Sequence, residues 1–243
     1  MAAAGLVAGA MNAIAGGGSF VTFPVMVFAG LPPLTANASS TVALFPGTIA
    51  STFAYRRDLS GIGGWSLAWL TPISAAGGLL GAVLLLATPA RVFDEVIPFL
   101  CLLATVTFAG GARAGLLLQR FIPVSSRALP AVQAVISIYG GYFGGAVGLM
   151  MMASWSLITA SADLKSMAPA RVFLVSAANG AAVLYFIAAG AVRWHETLAM
   201  MGASIAGGYL GARLTLVLPP EWVRRFVIVF TAFITIVFFI RAL

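Results

Sequence analysis

The sequence predicts an all-α polytopic membrane protein built from two inverted-topology repeats, each a glycine-broken helical hairpin followed by three transmembrane helices. Three observations predict it. Charge is scarce, a glycine motif recurs at a constant offset, and one threading of the chain puts most lysines and arginines on one side.

Hydrophobic residues fill 61% of the 243 positions and charged residues only 8%, against roughly a quarter charged in soluble domains. So few charges cannot cover a soluble chain of this size, whereas stretches of about 20 apolar residues cross about 30 Å of hydrocarbon. The apolar stretches divide the chain into a first repeat over 1–118 and a second over 129–243, joined by a cytoplasmic linker at 119–128. The first repeat is read as a hairpin at about 4–29 and helices at about 35–55, 65–87 and 95–118. The second is read as a hairpin at about 129–160 and helices at about 168–191, 196–218 and 222–241. Leu31-Pro32-Pro33, Arg56-Arg57-Asp58, Thr88-Pro89 and Pro219-Pro220 are among the turn and helix-start signals between them. Backbone in lipid must close its hydrogen bonds within helices or a closed barrel, and the lack of period-two alternation selects helices. Met1 to Gly18 lacks a basic leading region and a small-residue cleavage pattern, so it reads as part of the fold.

The repeat is visible as Ala76-Gly77-Gly78-Leu79-Leu80-Gly81-Ala82 before Pro89, which returns as Ala206-Gly207-Gly208-Tyr209-Leu210-Gly211-Ala212 before Pro219. Each half opens with a glycine-interrupted stretch: Gly16-Gly17-Gly18 in the first, and Gly140-Gly141 through Gly144-Gly145 to Gly148 in the second. A single glycine at a membrane helix contact is ordinary. Three in succession, each costing about 1 kcal/mol of helix propensity relative to alanine, predict a break.

The basic residues decide how the breaks are threaded. If every stretch crossed once, the 13 Lys and Arg would divide almost evenly. If each broken stretch enters and leaves on one face, Arg56, Arg57, Arg113, Arg120, Arg127, Lys165, Arg171, Arg213, Arg224 and Arg225 share a side. Only Arg91, Arg193 and Arg241 lie opposite. That bias is the positive-inside signal of a cytoplasmic face. The hairpin threading also gives the halves opposite orientations, as in many secondary transporters.

A broken helix points to an anion site, because its new N-terminus presents free amides. Gly17, Gly18 and Ser19 are the first candidates, with close helix packing as the plain alternative. Asn12 and Asn37 follow, since an amide in hydrocarbon faces a cavity or another helix. Ser40 and Thr41 come next, or else bond back to their own helix. On the second hairpin the candidates are Gln133, Tyr139, Tyr142 and Gly145, although Tyr is often an interfacial anchor. Arg171 is the one cation placed to reach the site, where a guanidinium suits an oxyanion, or else it snorkels to the surface. Asn179, in mid-segment, completes the set.

Other chemistry is poorly provided for. Cys101 is the single cysteine and His195 the single histidine, so no metal, cofactor or catalytic cluster is expected. Asp58, Asp94, Glu95, Asp163, Glu196 and Glu221 fall at predicted segment ends, leaving no carboxylate proton relay at depth. The basic residues are scattered rather than striped, which argues against nucleic acid. Expected partners are a small anion and the lipid bilayer, and a homo-oligomer is compatible with the sequence.

The run Asn12-Ala13-Ile14-Ala15-Gly16-Gly17-Gly18-Ser19-Phe20 with Pro24, then Ala36-Asn37-Ala38 and Tyr139-Gly140-Gly141-Tyr142-Phe143-Gly144-Gly145, resembles the sulfite exporter TauE/SafE family of bacterial permeases. The likeness extends over essentially the whole chain. It implies a multi-pass protein of the bacterial inner membrane that exports or takes up sulfite, sulfoacetate or a related organosulfonate; export is the expected direction because the membrane potential alone can drive an anion outward. Alternating access of the two repeats is the expected mechanism. An anion channel and a non-transporting membrane partner subunit are the alternatives, and an intramembrane hydrolase lacks the residues it needs. Two departures from the family pattern stand out. The N-terminal helix is short, and a segment that normally resembles Met-Asn-Ala-Leu-Lys-Asn reads Met167-Ala168-Pro169-Ala170-Arg171-Val172.

Overall fold

The computed structural model describes residues 1–15, 17–118, 125–159, 164–214 and 220–242, with side chains described for these except 13–15, 111–118, 164–165, 211–214, 220–224 and 242. The described residues form helices and turns. The helices are α1 (Ala2–Ala15), α2 (Ser19–Phe28), α3 (Pro33–Ala54), α4 (Leu67–Ala87), α5 (Ala90–Leu118), α6 (Leu129–Tyr142), α7 (Val147–Thr159), α8 (Leu164–Ala188), α9 (Trp194–Leu214) and α10 (Pro220–Ala242). Leu67–Ala87, Ala90–Gly110 and Ser166–Ala188 are, by length and composition, long and apolar enough to cross a membrane. Large apolar side chains face outward around the bundle, among them Trp69, Phe99, Val106, Leu184, Val229 and Ile240. Water would penalise such a surface and lipid would not. The chain is an all-α membrane protein.

Among the described residues the eight apolar stretches become ten α-helices because the first and fifth are interrupted. The second interruption is narrower than the glycine run suggests. Gly140 and Gly141 stay within α6, and the chain leaves helical geometry only between Tyr142 and Val147. α5 begins at Ala90, about one turn before the predicted start, so Asp94 and Glu95 lie within its first turns; Arg91 pairs with Glu95 at 3.3 Å. α8 likewise starts at Leu164 and takes Pro169 into its second turn.

Contacts fix the directions. Gln133 meets Trp155 at 3.2 Å, and Leu129 and Thr159 both lie against Gly63, so α6 and α7 run antiparallel with their free ends together. Trp65 Nε1 donates to Ser126 O at 3.0 Å, which puts the α3–α4 turn, with Arg56 and Arg57 close by, at the same end. The start of α3 lies at the other end, where Ser39 Oγ accepts from Arg193 N at 2.9 Å. α1 packs parallel to α9: Gly5 lies against Met200, Gly9 against Ser204 and Gly208. α1 and α2 therefore enter from the Arg193 end, and α6 and α7 from the Arg56 end. Asp94 and Arg241 line one small pocket, so the start of α5 and the end of α10 also share the Arg193 end.

Each hairpin is seated on a helix of the other half. α4 and α6 are parallel, with Gly77 beside Ala134 and Ser137 and Gly81 beside Ile138 and Tyr142. A Cβ at Gly141 would collide with the Gly78 carbonyl oxygen, and one at Gly207 with the Leu6 carbonyl oxygen. The repeated glycine motif thus lets two pairs of helix backbones touch, the usual way membrane helices gain contact when lipid removes the hydrophobic drive. Between α5 and α10, Thr105 and Thr235, 130 positions apart, share a hydrogen bond of 3.0 Å.

Two predictions follow from this packing. In a Cys101→Ser background, single cysteines at Arg56 and Arg127 should react with an impermeant maleimide from one face, and cysteines at Arg91 and His195 from the other. Labelling of Arg56 and Arg91 positions from a common face would contradict the threading. Gly141→Ala should cost about 1–3 kcal/mol by overpacking and lower the detergent melting temperature by several degrees. Gly202→Ala, with open space around it, should leave that temperature unchanged or slightly higher.

Candidate functional site

The site grows from the break in the second hairpin. Gly144 and Ala146 adopt left-handed backbone conformations, with φ of 79° and 59°. Glycine takes such a conformation freely, whereas alanine pays for it with roughly 1–2 kcal/mol. The two reversals turn the chain through a tight corner. At the α6 end the freed carbonyls are taken up locally: Phe143 N and Gly144 N donate to Tyr139 O at 2.8 and 3.4 Å, and Asn37 Nδ2 donates to Tyr142 O at 2.8 Å. Asn37 is thus a C-cap supplied by α3, and Thr41 Oγ1, one turn on, donates to Asn37 O at 3.0 Å. Thr41 Oγ1 also lies 3.8 Å from where a Gly144 Cβ would sit.

The α7 end is treated differently. Ala146 O accepts from Leu149 N and Met150 N at 3.0 Å each, but the amides of Gly145, Ala146, Val147 and Gly148 have no partner among the described residues. Across this N-terminus lies Arg171 of α8. Its Cδ and Nη1 come within 3.3 and 3.4 Å of the place a Cβ would take on Gly148, so the missing side chain at Gly148 makes room for the guanidinium. Arg171 Nε is buried and has no hydrogen-bond partner. Arg171 as a whole is half-buried, as is Glu196, which lies 3.9 Å from Arg193, and the other charged side chains described are exposed. A guanidinium beside a helix N-terminus is the wrong sign for the helix dipole. Free amides and a guanidinium are both groups that bind anions, and no carboxylate stands beside them among the described residues.

The first hairpin brings its break to the same region. Gly18 O accepts from Val21 N and Thr22 N at 3.0 and 3.1 Å. A Cβ on Gly18 would meet Ala8 O and the Asn12 side chain, so Asn12 packs against the break. Thr22 and Ser40 share a hydrogen bond that ties α2 to α3. Phe20, in the first turn of α2, contacts Phe143 edge-on at 6.4 Å and Phe108 at 5.7 Å, and sits 3.2 Å from the Cβ position of Gly145. Phe23 and Tyr139 also pack edge-on against Phe143, at 5.8 and 6.1 Å. The breaks meet across an aromatic cluster.

Asn37, Thr41 and Gly145 therefore meet at the break, Arg171 lies against Gly148 just beyond it, and the first hairpin's break with Gly17, Gly18 and Ser19 approaches across Phe20 and Phe143. Other candidates lie apart. Gln133 is fully buried near the base of the hairpin, donating to Ser74 Oγ at 2.8 Å and accepting from Trp155 Nε1 at 3.2 Å, which clamps α6 to α4 and α7. Tyr142 OH lies 3.3 Å from Thr88 Oγ1, and Tyr139 OH donates to Leu100 O at 3.5 Å, both toward the α4–α5 side. Asn179 is two turns beyond Arg171, with its Oδ1 buried and unpartnered. Ser156 Oγ on α7 is in the same condition and carried no sequence signal, since it sits in an otherwise apolar run. Phe20 and Phe143 were also missed as site residues, because an aromatic in an apolar stretch looks like any other lipid or core contact.

Comparison with known proteins now bears on the whole chain. The family model described as Sulfite exporter TauE/SafE matches residues 1–238. "Probable membrane transporter protein ORF9" of a Sinorhizobium species is 31% identical over 86% of this chain and 80% of its own length. A "probable membrane transporter protein" of Haemophilus influenzae is 26% identical over 95% and 90% respectively. "Probable membrane transporter protein YfcA" of Escherichia coli is 26% identical over 93% and 84%. No solved structure matches. A family match over nearly the full length, on a bundle of apolar helices, makes this a membrane transporter: the chain belongs to the sulfite exporter TauE/SafE family.

Proposed function

We propose that the transported species is a small sulfur oxyanion, namely sulfite, sulfoacetate or a related organosulfonate, and that it is exported across the bacterial inner membrane. The observation that carries this reading is Arg171 lying against Gly148 at the N-terminus of α7, beside amides with no partner and with no carboxylate paired to it among the described residues. A sulfite or sulfonate group has three oxygens, enough to accept from the guanidinium and the α7 amides at once. Phe20 and Phe143 give the site an apolar flank against which a short organic substituent would pack.

The halves are read as inverted repeats that rock against each other around this site. Entry of the hairpins from opposite ends supports this, as do the matching helix order of the halves and the hydrogen bond between Thr105 and Thr235. A cytoplasmic Arg56 end is the reading of the ten-to-three division of basic residues in the sequence; of the described ones, Arg56, Arg57, Arg127 and Arg225, in the first turns of α10, fall at that end, and Arg91, Arg193 and Arg241 at the other. The side chains of Arg113, Arg120, Lys165, Arg213 and Arg224 lie outside the described residues. The helices carry no internal carboxylate among the described residues, so proton transfer through the bundle plays no part in this reading.

Reconstituted protein should release entrapped sulfite or sulfoacetate well above the rate of protein-free vesicles. No release of any anion from a panel of sulfur oxyanions would overturn the substrate assignment. Arg171→Ala should lower the rate at least about 100-fold, the loss of a charge-assisted contact worth roughly 3 kcal/mol. Arg171→Lys, which keeps the charge and loses the planar fork, should fall between, and both should be expressed and folded at wild-type levels by size-exclusion profile.

A further inference from the structure

Resting on the transport reading above, we propose that the protein is an obligatory anion exchanger: the site reorients only when an anion occupies it, so that efflux of one anion requires entry of another.

Arg171 is the charge that imposes this. Its guanidinium lies at the tip of a re-entrant hairpin, with Nε buried and unpartnered, against the positive end of α7. Asp58, Asp94 and Glu95 are exposed at helix ends, and Glu196 is beside Arg193, so none of the described carboxylates neutralises it. Occlusion of the empty site would carry an uncompensated cation through a water-excluded state, which is strongly disfavoured. A bound hydrogensulfite, or the sulfonate end of sulfoacetate, matches that charge and satisfies the free amides of Gly145 to Gly148. With its cation paired and its amides bonded, the loaded site occludes fast.

The two halves differ in a way that locates the effect. Among the described residues, the buried side-chain atoms that lack a hydrogen bond, Ser156 Oγ, Arg171 Nε and Asn179 Oδ1, all belong to α7 and α8. In the first half the buried polar side chains around the break are bonded: Thr22 to Ser40, Asn37 to Tyr142 O and Ser39 to Arg193 N. No cation occupies that half's break among the described residues. The barrier to empty reorientation therefore arises at one residue, and one substitution removes its cause.

The test uses vesicles containing the full chain, loaded with radiolabelled sulfite or, in parallel, sulfoacetate, with the membrane potential clamped at zero by potassium and valinomycin. Efflux is followed into medium containing the same unlabelled anion or only gluconate. The proposal expects efflux about tenfold or more faster with the unlabelled anion outside, the difference being the barrier to empty return. It also expects Arg171→Lys to keep that stimulation and Arg171→Gln to lose it. Equal efflux into both media would establish uniport and overturn exchange while leaving the transport reading intact. Stimulation that persists in Arg171→Gln would overturn the role given to Arg171. Absence of labelled flux in both media, for both anions, would overturn the transport reading and the exchange proposal with it.

Discussion

A helix interrupted inside hydrocarbon creates two new ends, one with unpaired carbonyls and one with unpaired amides, and lipid offers neither a partner. Much of this structure can be understood as the way those groups are provided for. At the second break the carbonyl end is closed by the chain itself, through Tyr139 O and through Asn37 reaching from α3 to Tyr142 O. The amide end is left open and faced with a guanidinium. An arrangement that closes one end and leaves the other open, beside a cation, is what an anion site inside a membrane requires. The same break without Arg171 would be a defect, and Arg171 without the break would be an unpaired charge.

Holding two hairpins inside the bundle requires close backbone approach, and glycine supplies it. Gly77 and Gly81 of α4 receive α6 and Gly78 receives Ala178 of α8, while Gly207 and Gly208 of α9 receive α1. Each half thereby completes the other: the second hairpin sits on a helix of the first half and the first hairpin on a helix of the second. Side-chain polarity reinforces the seat where it is buried, as in the Gln133 clamp to Ser74 and Trp155. Movement of one half relative to the other would have to carry its guest hairpin, so any rocking would be transmitted directly to the break.

Much of the fold was legible in the sequence because its signals are compositional and repetitive. Scarce charge gave the membrane, the recurring Ala-Gly-Gly motif gave the packing helices, and three consecutive glycines gave the first break. Where the second break falls was less legible. Gly140 and Gly141 look like part of it, yet they are helical and serve contact with α4; the reversal uses Gly144 and Ala146, and no propensity argument selects an alanine at positive φ. Among site residues Arg171 stood out as a cation in an apolar stretch, and Asn37 as an amide at depth. Which of its roles Asn37 would take was not legible, because capping a carbonyl 105 residues away depends on tertiary placement. Tyr142 has its hydroxyl directed to Thr88, while only its carbonyl belongs to the break. Phe20 and Phe143 form the cluster between the breaks solely through the meeting of two distant segments.

The account turns on whether the α7 N-terminus and Arg171 together bind an anion. The most direct measurement is ligand-induced thermal stabilisation of the purified protein in detergent, titrating sulfite and sulfoacetate against wild type and Arg171→Gln. A bound anion should raise the wild-type melting temperature in a saturable way, by several degrees at about 100 times the dissociation constant, and leave Arg171→Gln unmoved. Equal saturable shifts in both proteins would place the anion elsewhere and contradict the account.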